Sequence, residues 1–314
     1  MAQPVNIIST HNQVGIREDL SDTIYNIKPH VTPFLTKCAK TKATNVFHEW
    51  QTDTLRASAV NAHIDGADTS ADARVATVRL GNYTQILKNA VTVSGSDAGL
   101  DKAGRDKTMA YQIVKVLKEH KLDIEKALFA SQARVAGGNS SERYLAGLPA
   151  WLYTNTFIGS GGSDATGDGT NTRTDGTQTA FTQANFNTVM QSAWENGGEP
   201  TTVYLSAFQM DVAQGFTGNN SQRSMIQASE NTVSDYMSVY QTPWGRVKFI
   251  PSRENRGRDI FIIQDDMWKV ATKRPTKQEP LAKTGDSDRT QVVTELTLVS
   301  CNEAASGGVF DATT

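Results

Sequence analysis

The chain has 314 residues, 38% hydrophobic and 20% charged, with 33 acidic against 31 basic side chains and a formal net charge of -2. That length supports one large domain or two modest ones with true cores, and the charge balance excludes the basic excess of a dedicated nucleic-acid binder. Cys38 and Cys301 are the only cysteines, which excludes a disulfide framework, and no apolar run approaches the roughly 20 residues that cross a bilayer.

Residues 1–46 read as an extended arm punctuated by Pro4, Pro29 and Pro33, without an apolar block large enough to hold itself together. The opening MAQPVNIISTHNQVG has no basic residue before an apolar run, so it is not a secretory signal. Next come two strand-forming stretches, FHEWQTDTL (47–55) and RVATVRLGNYTQILKNAVTV (74–93). Between them lies a polar tip, 56–73, whose strongest turn signal is Asp65-Gly66. Strands of 10 to 15 residues would reach roughly 30–50 Å, and so long an isolated ribbon is poorly stable in water. It must fold back on its core or rest on another copy.

His48-Glu49 imitates the start of a zinc-protease helix. That motif needs a second histidine four positions after the first, so that both imidazoles share one helix face. Position 52 is Thr, and the β-branched and aromatic content favours a strand. All five histidines fall in the first 120 residues, no GxSxG elbow is present, and Cys38 reads as a small packed residue.

One strong helix follows. From Arg105 to Ala136 there is neither Pro nor Gly, Asp97 or Asp101 is placed to cap the start, and Ala110, Ile113, Leu117, Ile124, Leu128 and Val135 form an apolar stripe. Lys115–Glu119 and Lys121–Glu125 are expected as i,i+4 pairs on the wet side. At 1.5 Å per residue such a helix spans about 45 Å. Gly137-Gly138-Asn139 ends it.

The stretch 159–180 contains GSGGSDATGDGTNTRTDG without an apolar side chain larger than Ala. It lacks EF-hand spacing and reads as a flexible surface loop. A second helix is expected over 182–197, a strand and a short helix over 200–216, strands at RVKFIPS, DIFIIQ and MWKVATK, and a last strand over 290–302. Lys283-Thr284 in LAKTGDSD is not a phosphate loop, because Ala282 and Gln278 stand where glycines are required. The profile is α+β.

VTPFLTKC (31–38), FHEWQTDTL (47–55), RLGNYTQILKNAVTVSG (79–95), AYQIVKVLKEHKLDIEKALF (110–129), LAGLPAWL (145–152), LAKTGDSD (281–288) and TELTLVSCNEAASG (294–307) span nearly the whole chain. In this order they resemble the major capsid proteins of tailed bacteriophages, with the HK97-like fold.

That resemblance implies an N-terminal arm (1–46), an extended hairpin or E-loop (47–95) laid over a neighbour, and a peripheral domain (96–155) with a spine helix at 104–136. It further implies an axial domain (156–245, with the glycine loop 159–180) and a return to the peripheral domain over 246–314. The implied function is a structural subunit, not an enzyme, that self-assembles as hexamers and pentamers into an icosahedral head shell around double-stranded DNA. Another virion part, such as a decoration or tail protein, or a soluble enzyme without a recognisable motif, is the alternative.

No cofactor, metal or membrane is implied. Portal and decoration proteins are expected partners. A fused scaffolding segment, common in relatives, does not precede the arm, so a separate scaffolding protein is expected. Subunit-contact candidates are Trp50, His63, Ile64, Asp65, Gly66, Tyr83, Arg274 and Lys283. Trp50 is the expected packing anchor where the hairpin leaves the core. Residues 246–289, with 11 basic against 7 acidic side chains, are read as subunit-contact charge, with inner-surface DNA contact as the lesser reading.

Overall fold

The computed structural model describes residues 31–56, 58–66, 68, 74–100, 102, 107–216 and 239–314. The expected arm over 1–30, part of the hairpin tip, the first residues of the expected spine helix and the segment 217–238 lie outside the described residues.

The elements in order are α1 (Pro33–Lys37), β1 (Ala39–Lys42), β2 (Phe47–Thr52), β3 (Val78–Tyr83), β4 (Gln85–Ser94), α2 (Gly95–Ala98), α3 (Thr108–Phe129) and β5 (Thr156–Phe157). Then follow α4 (Gln183–Glu195), β6 (Thr202–Leu205), α5 (Ala207–Gln214), β7 (Val239–Thr242), β8 (Gly245–Pro251), β9 (Ile260–Ile263), β10 (Trp268–Pro280), β11 (Ser287–Ser300) and β12 (Gly307–Val309). They form a four-stranded sheet in the order β1-β10-β11-β4, a six-stranded sheet in the order β5-β12-β9-β6-β8-β7, and the separate β2-β3 ribbon.

Two cores meet at β9. Its four residues are all buried, and strand alternation splits them. Phe261 and Ile263 join Phe34, Phe129, Trp151, Tyr204, Trp268 and Leu298 beside the first sheet, whereas Ile260 and Ile262 join Phe186, Val189, Val203 and Phe249 beneath α4. β8 and β9 lie in the six-stranded sheet, the chain returns at Trp268 to the four-stranded sheet that already holds β1 and β4, and β12 goes back to the six-stranded sheet. Composition carries no mark of this, because consecutive strands can belong to either sheet.

α3 is shorter than its pattern suggests. It covers 22 residues, about 33 Å at 1.5 Å per residue. Ala130 turns to extended backbone (φ -64°, ψ 135°). The Gly147 N–H donates to the Gln132 carbonyl at 3.1 Å, the Gln132 side-chain amide donates to the Leu145 carbonyl at 2.9 Å, and Val135 bridges Tyr144. Pairing with the returning chain thus replaces the last helical turns. It needs Gly147, since a Cβ there would sit 2.0 Å from the Ala130 carbonyl oxygen.

The expected ribbon also divides. β2 and β3 pair over six residues, Phe47 opposite Tyr83 through Thr52 opposite Val78, a ladder of about 20 Å. After Thr84 the chain becomes β4, which pairs with β11 instead.

The glycine stretch 159–180 is held in place by charge, contrary to the flexible loop expected. Arg173 is fully buried between Asp259 (3.1 Å) and Asp311 (2.8 Å), with its guanidinium 4.4 Å from the Phe310 ring. Arg258 reaches Asp311 at 2.7 Å and Arg256 reaches Asp175 at 2.6 Å. The Gly159 N–H donates to Asp311, and a Cβ on Gly159 would meet the Thr177 carbonyl oxygen at 1.9 Å. Backbone contact and ion pairing order a segment that has almost no apolar surface to bury.

Burial pushes Asp259 up to about 6 despite its arginines. Removing the cation should therefore be costly. Arg173→Met is expected to lower subunit stability by about 3–5 kcal/mol, read from the urea midpoint at pH 7.5. The loss should shrink at pH 5, where Asp259 takes up a proton.

Candidate assembly surfaces

The hairpin base is rigid. The Trp50 ring lies 5.4 Å from Trp151, as expected of a packing anchor. Phe47 and Tyr83 pack with ring centroids 4.6 Å apart and planes tilted by 45°, and Arg134 lies over Phe47 at 5.2 Å. Asn82, fully buried, donates to the carbonyls of Ala146 and Leu298 and accepts from the Ala146 N–H, which ties the ribbon to both the main sheet and the segment after α3. His48 sits on β2 opposite Asn82, and burial lowers its pKa.

Beyond Thr52 the hairpin carries several bare apolar residues. Leu55 is 99% exposed, Val60 96%, Ile64 84% and Val75 79%. Asp65-Gly66 forms the turn, with Gly66 at φ +80°. His63 bonds to Asn61, at 2.7 Å. Scattered exposed apolar residues are ordinary, but several carried together on one projecting segment mark a contact surface.

The arm enters the fold at α1, where three contacts fasten it. Phe34 packs on Phe129 of α3 (5.1 Å) and on Tyr204 of β6 (5.4 Å), inside the first core. Lys37 bonds Thr202 at 2.7 Å and Asp265 at 3.2 Å. Glu125, fully buried on α3, accepts from the N–H groups of Phe34 (2.9 Å) and Leu35 (2.8 Å). The wet-side Lys121–Glu125 pair is thus not formed, because Glu125 caps α1; Lys115–Glu119 is present at 3.8 Å. Burial pushes Glu125 up to about 7, with the two N–H groups and Lys40 opposing.

The remaining contact candidates are engaged within the chain. Arg274 donates to Glu295 at 2.8 Å, beside Arg143 and Lys273 on the same carboxylate. Burial would raise the Glu295 pKa, but the hydrogen bonds from Thr84, Lys273 and Arg274 outweigh it and hold the carboxyl below its usual range. Lys283 pairs with Asp288 at 2.6 Å in the exposed β10–β11 connection. Trp50, Tyr83 and Arg274 therefore build the base, and Ile64, Asp65, Gly66 and Lys283 stand outside it. Among the described residues no cluster of His, Cys, Asp and Glu has metal-binding geometry, and no helix is long and apolar enough to cross a membrane. Burial pushes the Cys38 thiol far up, which leaves it unreactive.

A body with two cores, from which a rigid-based ribbon projects its apolar residues into solvent, has counterparts. Residues 6–313 match the family described as SU10 major capsid protein. The chain belongs to that family. It is 25% identical, over 99% of its length and 98% of the relative's, to the major capsid protein of Escherichia phage Phieco32. Its fold is similar to a chain of the cyanophage A-1(L) capsid asymmetric unit (TM-score 0.66, 13% identity, 98% and 99% of the two chains). It is also similar to the capsid of a native GTA particle (TM-score 0.61, 10% identity, 97% and 98% covered).

The fold is thus the HK97-like capsid fold, as the sequence resemblance implies, and the chain is a subunit of a phage head shell. Of the groups that hold the capsid fold's geometry here, sequence reasoning misses Glu125 and Arg173. Glu125 sits in helical register with Lys121 like any surface pair, and Arg173 sits in a stretch whose composition reads as loop. The only available signal for Arg173 was a lone cation among Asp175, Asp259 and Asp311, too dispersed to single out.

Because the folded state raises the Glu125 pKa from 4.5 to about 7, its relative stabilisation is fully present below about pH 4.5 and lost as pH rises through 7. At about 1.4 kcal/mol per unit the swing is on the order of 3 kcal/mol. Urea unfolding of Glu125→Gln subunits is expected to lack that pH dependence, so the stability difference from the unsubstituted protein should change between pH 5 and pH 8.

Proposed function

We propose that this capsid subunit closes into an icosahedral shell of hexamers and pentamers, with residues 47–95 laid over an adjacent subunit and the arm reaching along neighbours. The observation that carries this reading is the hairpin tip, where Leu55, Val60 and Ile64 are 99%, 96% and 84% exposed on a base that is itself locked. Such residues are stabilised by apolar burial, which no described residue of the same chain supplies and a neighbouring copy would. Head-to-tail contacts of this kind close into rings. Each interface of about 1,000 Å² or more adds modestly to a cooperative whole.

The four-stranded sheet with α3 is the peripheral domain under this reading, and the six-stranded sheet with α4 and α5 is the axial domain. A separate scaffolding protein, a portal and decoration proteins are the proposed partners, with assembly in the host cytoplasm. The shell encloses double-stranded DNA without reading its sequence. The near-neutral net charge of -2 supports close packing of copies and disfavours tight phosphate binding. The subunit acts structurally and is not an enzyme.

Electron microscopy of the full chain, expressed alone and with the scaffolding protein, is expected to show closed shells or capsomer rings. Trypsin should cut free subunits at Arg56 and Arg74 and spare both bonds in assembled particles. A chain that stays monomeric at every concentration, with equal cleavage in all fractions, would overturn the assignment of the hairpin.

A further inference from the structure

Four pairs in this chain set an acid or amide side chain directly before glycine: Asp65-Gly66, Asp168-Gly169, Asp175-Gly176 and Asn196-Gly197. Such pairs share one intrinsic reaction. The glycine amide nitrogen closes on the side-chain carbonyl carbon of the residue before it, and glycine has no Cβ to obstruct the approach. In an open chain at neutral pH the asparagine pair reacts fastest, since an amide can expel ammonia whereas an ionised carboxyl has no good leaving group. A fold can change that order, because closure needs side chain and backbone to turn into a near-attack geometry.

Three of the pairs are held away from it. Asn196 follows α4, and its side-chain amide donates to Asn155 Oδ1 at 2.7 Å and to the Ser192 carbonyl at 3.0 Å. The nucleophile there is engaged as well, since the Gly197 N–H donates to the Trp194 carbonyl at 2.9 Å. Asp168 Oδ1 accepts from Thr166 Oγ1 at 2.6 Å, from Thr170 Oγ1 at 2.6 Å and from the Thr170 N–H at 3.0 Å. Burial would raise the Asp168 pKa, but those bonds outweigh it and keep the carboxyl in its unreactive, ionised form. Asp175 is gripped by Arg173 (2.9 Å), Arg256 (2.6 Å) and Arg258 (3.1 Å), and the Gly176 carbonyl accepts from Arg258 at 2.8 Å.

Asp65-Gly66 has none of these restraints. Both residues are exposed at the turn, Gly66 stands at φ +80°, and a Cβ built on it would meet nothing within 4 Å. Among the described residues no group bonds the Asp65 carboxyl.

We propose that Asp65 is a site of spontaneous isomerisation to isoaspartate, and that the fold confines this reaction to one of the four pairs. The Gly66 nitrogen gives up its proton and bonds Asp65 Cγ, while the protonated fraction of the carboxyl loses its OH; proton and OH leave as one water. Water then adds to the resulting succinimide. Cleavage of the new bond restores aspartate, and cleavage of the old peptide bond leaves the main chain running through the side-chain methylene. One water leaves, one enters, and nothing is oxidised or reduced. The product lengthens the turn by one backbone carbon and places a free carboxylate on Cα, the group that isoaspartyl carboxyl methyltransferases accept. The inference needs only the folded subunit and holds whatever the hairpin touches in a shell.

The test uses the full chain as free subunits, kept for several weeks at neutral pH below the unfolding temperature. Tryptic peptides are then read by electron-transfer fragmentation, which locates isoaspartate within the peptide 57–74. Folded protein should accumulate it at residue 65 at least about tenfold faster than at residues 168, 175 and 196. In guanidinium-unfolded chain the order should reverse, with Asn196 converting first. An isoaspartyl methyltransferase with a labelled methyl donor should mark the same peptide of the folded protein. T166V/T170V, which frees the Asp168 side chain, should speed conversion at residue 168 several-fold.

Absence of isoaspartate at residue 65 while the unfolded chain reacts would overturn the assignment. So would conversion at residue 168, 175 or 196 at a comparable rate in folded protein. An unchanged rate at residue 168 in T166V/T170V would overturn the account of how the other pairs are protected.

Discussion

A ribbon that carries Leu55, Val60 and Ile64 almost fully bare cannot be at rest in water. Among the described residues no apolar surface of the same chain covers them, and under the proposed function a neighbouring copy would. The rest of the fold can be understood as serving that constraint. The base of the ribbon must be stiff enough that burying the tip elsewhere costs little ordering entropy. Trp50 on Trp151, Phe47 on Tyr83 and the buried Asn82 supply that stiffness.

Stiffness at the base requires a body that does not shear. Two sheets with separate cores could slide over each other, but β9 contributes alternate side chains to both, and Phe34 is wedged between Phe129 of α3 and Tyr204 of β6. Lys37 adds bonds to Thr202 and Asp265 at the same place. α1 is thus fastened to both sheets.

Buried charge does a different job from buried grease here. Arg173 with Asp259 and Asp311, Glu295 with its three cations, and Glu125 over the α1 amides each demand one geometry. Buried ion pairs contribute little net stability relative to apolar packing, because desolvation offsets most of the attraction. They do penalise every arrangement that leaves a charge alone. In a subunit that must present the same surfaces in every copy, that penalty favours a single shape. The same fold at 10–13% identity to other capsids shows how little of the sequence such a shape needs to conserve.

Most of this fold was legible in the sequence where local chemistry decides. The strand 47–52, the α3 stripe from Ile113 to Leu128, the helix at 183–195 and the long final strand all follow from periodicity and β-propensity. The polar hairpin tip, with its Asp65-Gly66 turn, was visible for the same reason. What only the tertiary structure decided are matters of partner choice. Residues 130–135 pair with 144–147 instead of extending the helix, β8 and β9 join the six-stranded sheet, and the glycine stretch is ordered by Arg173. A helix end, a sheet neighbour and an ion pair depend on residues from about ten to more than a hundred positions away. Their free energy appears only once the chain has closed on itself, so no local window of the sequence contains it.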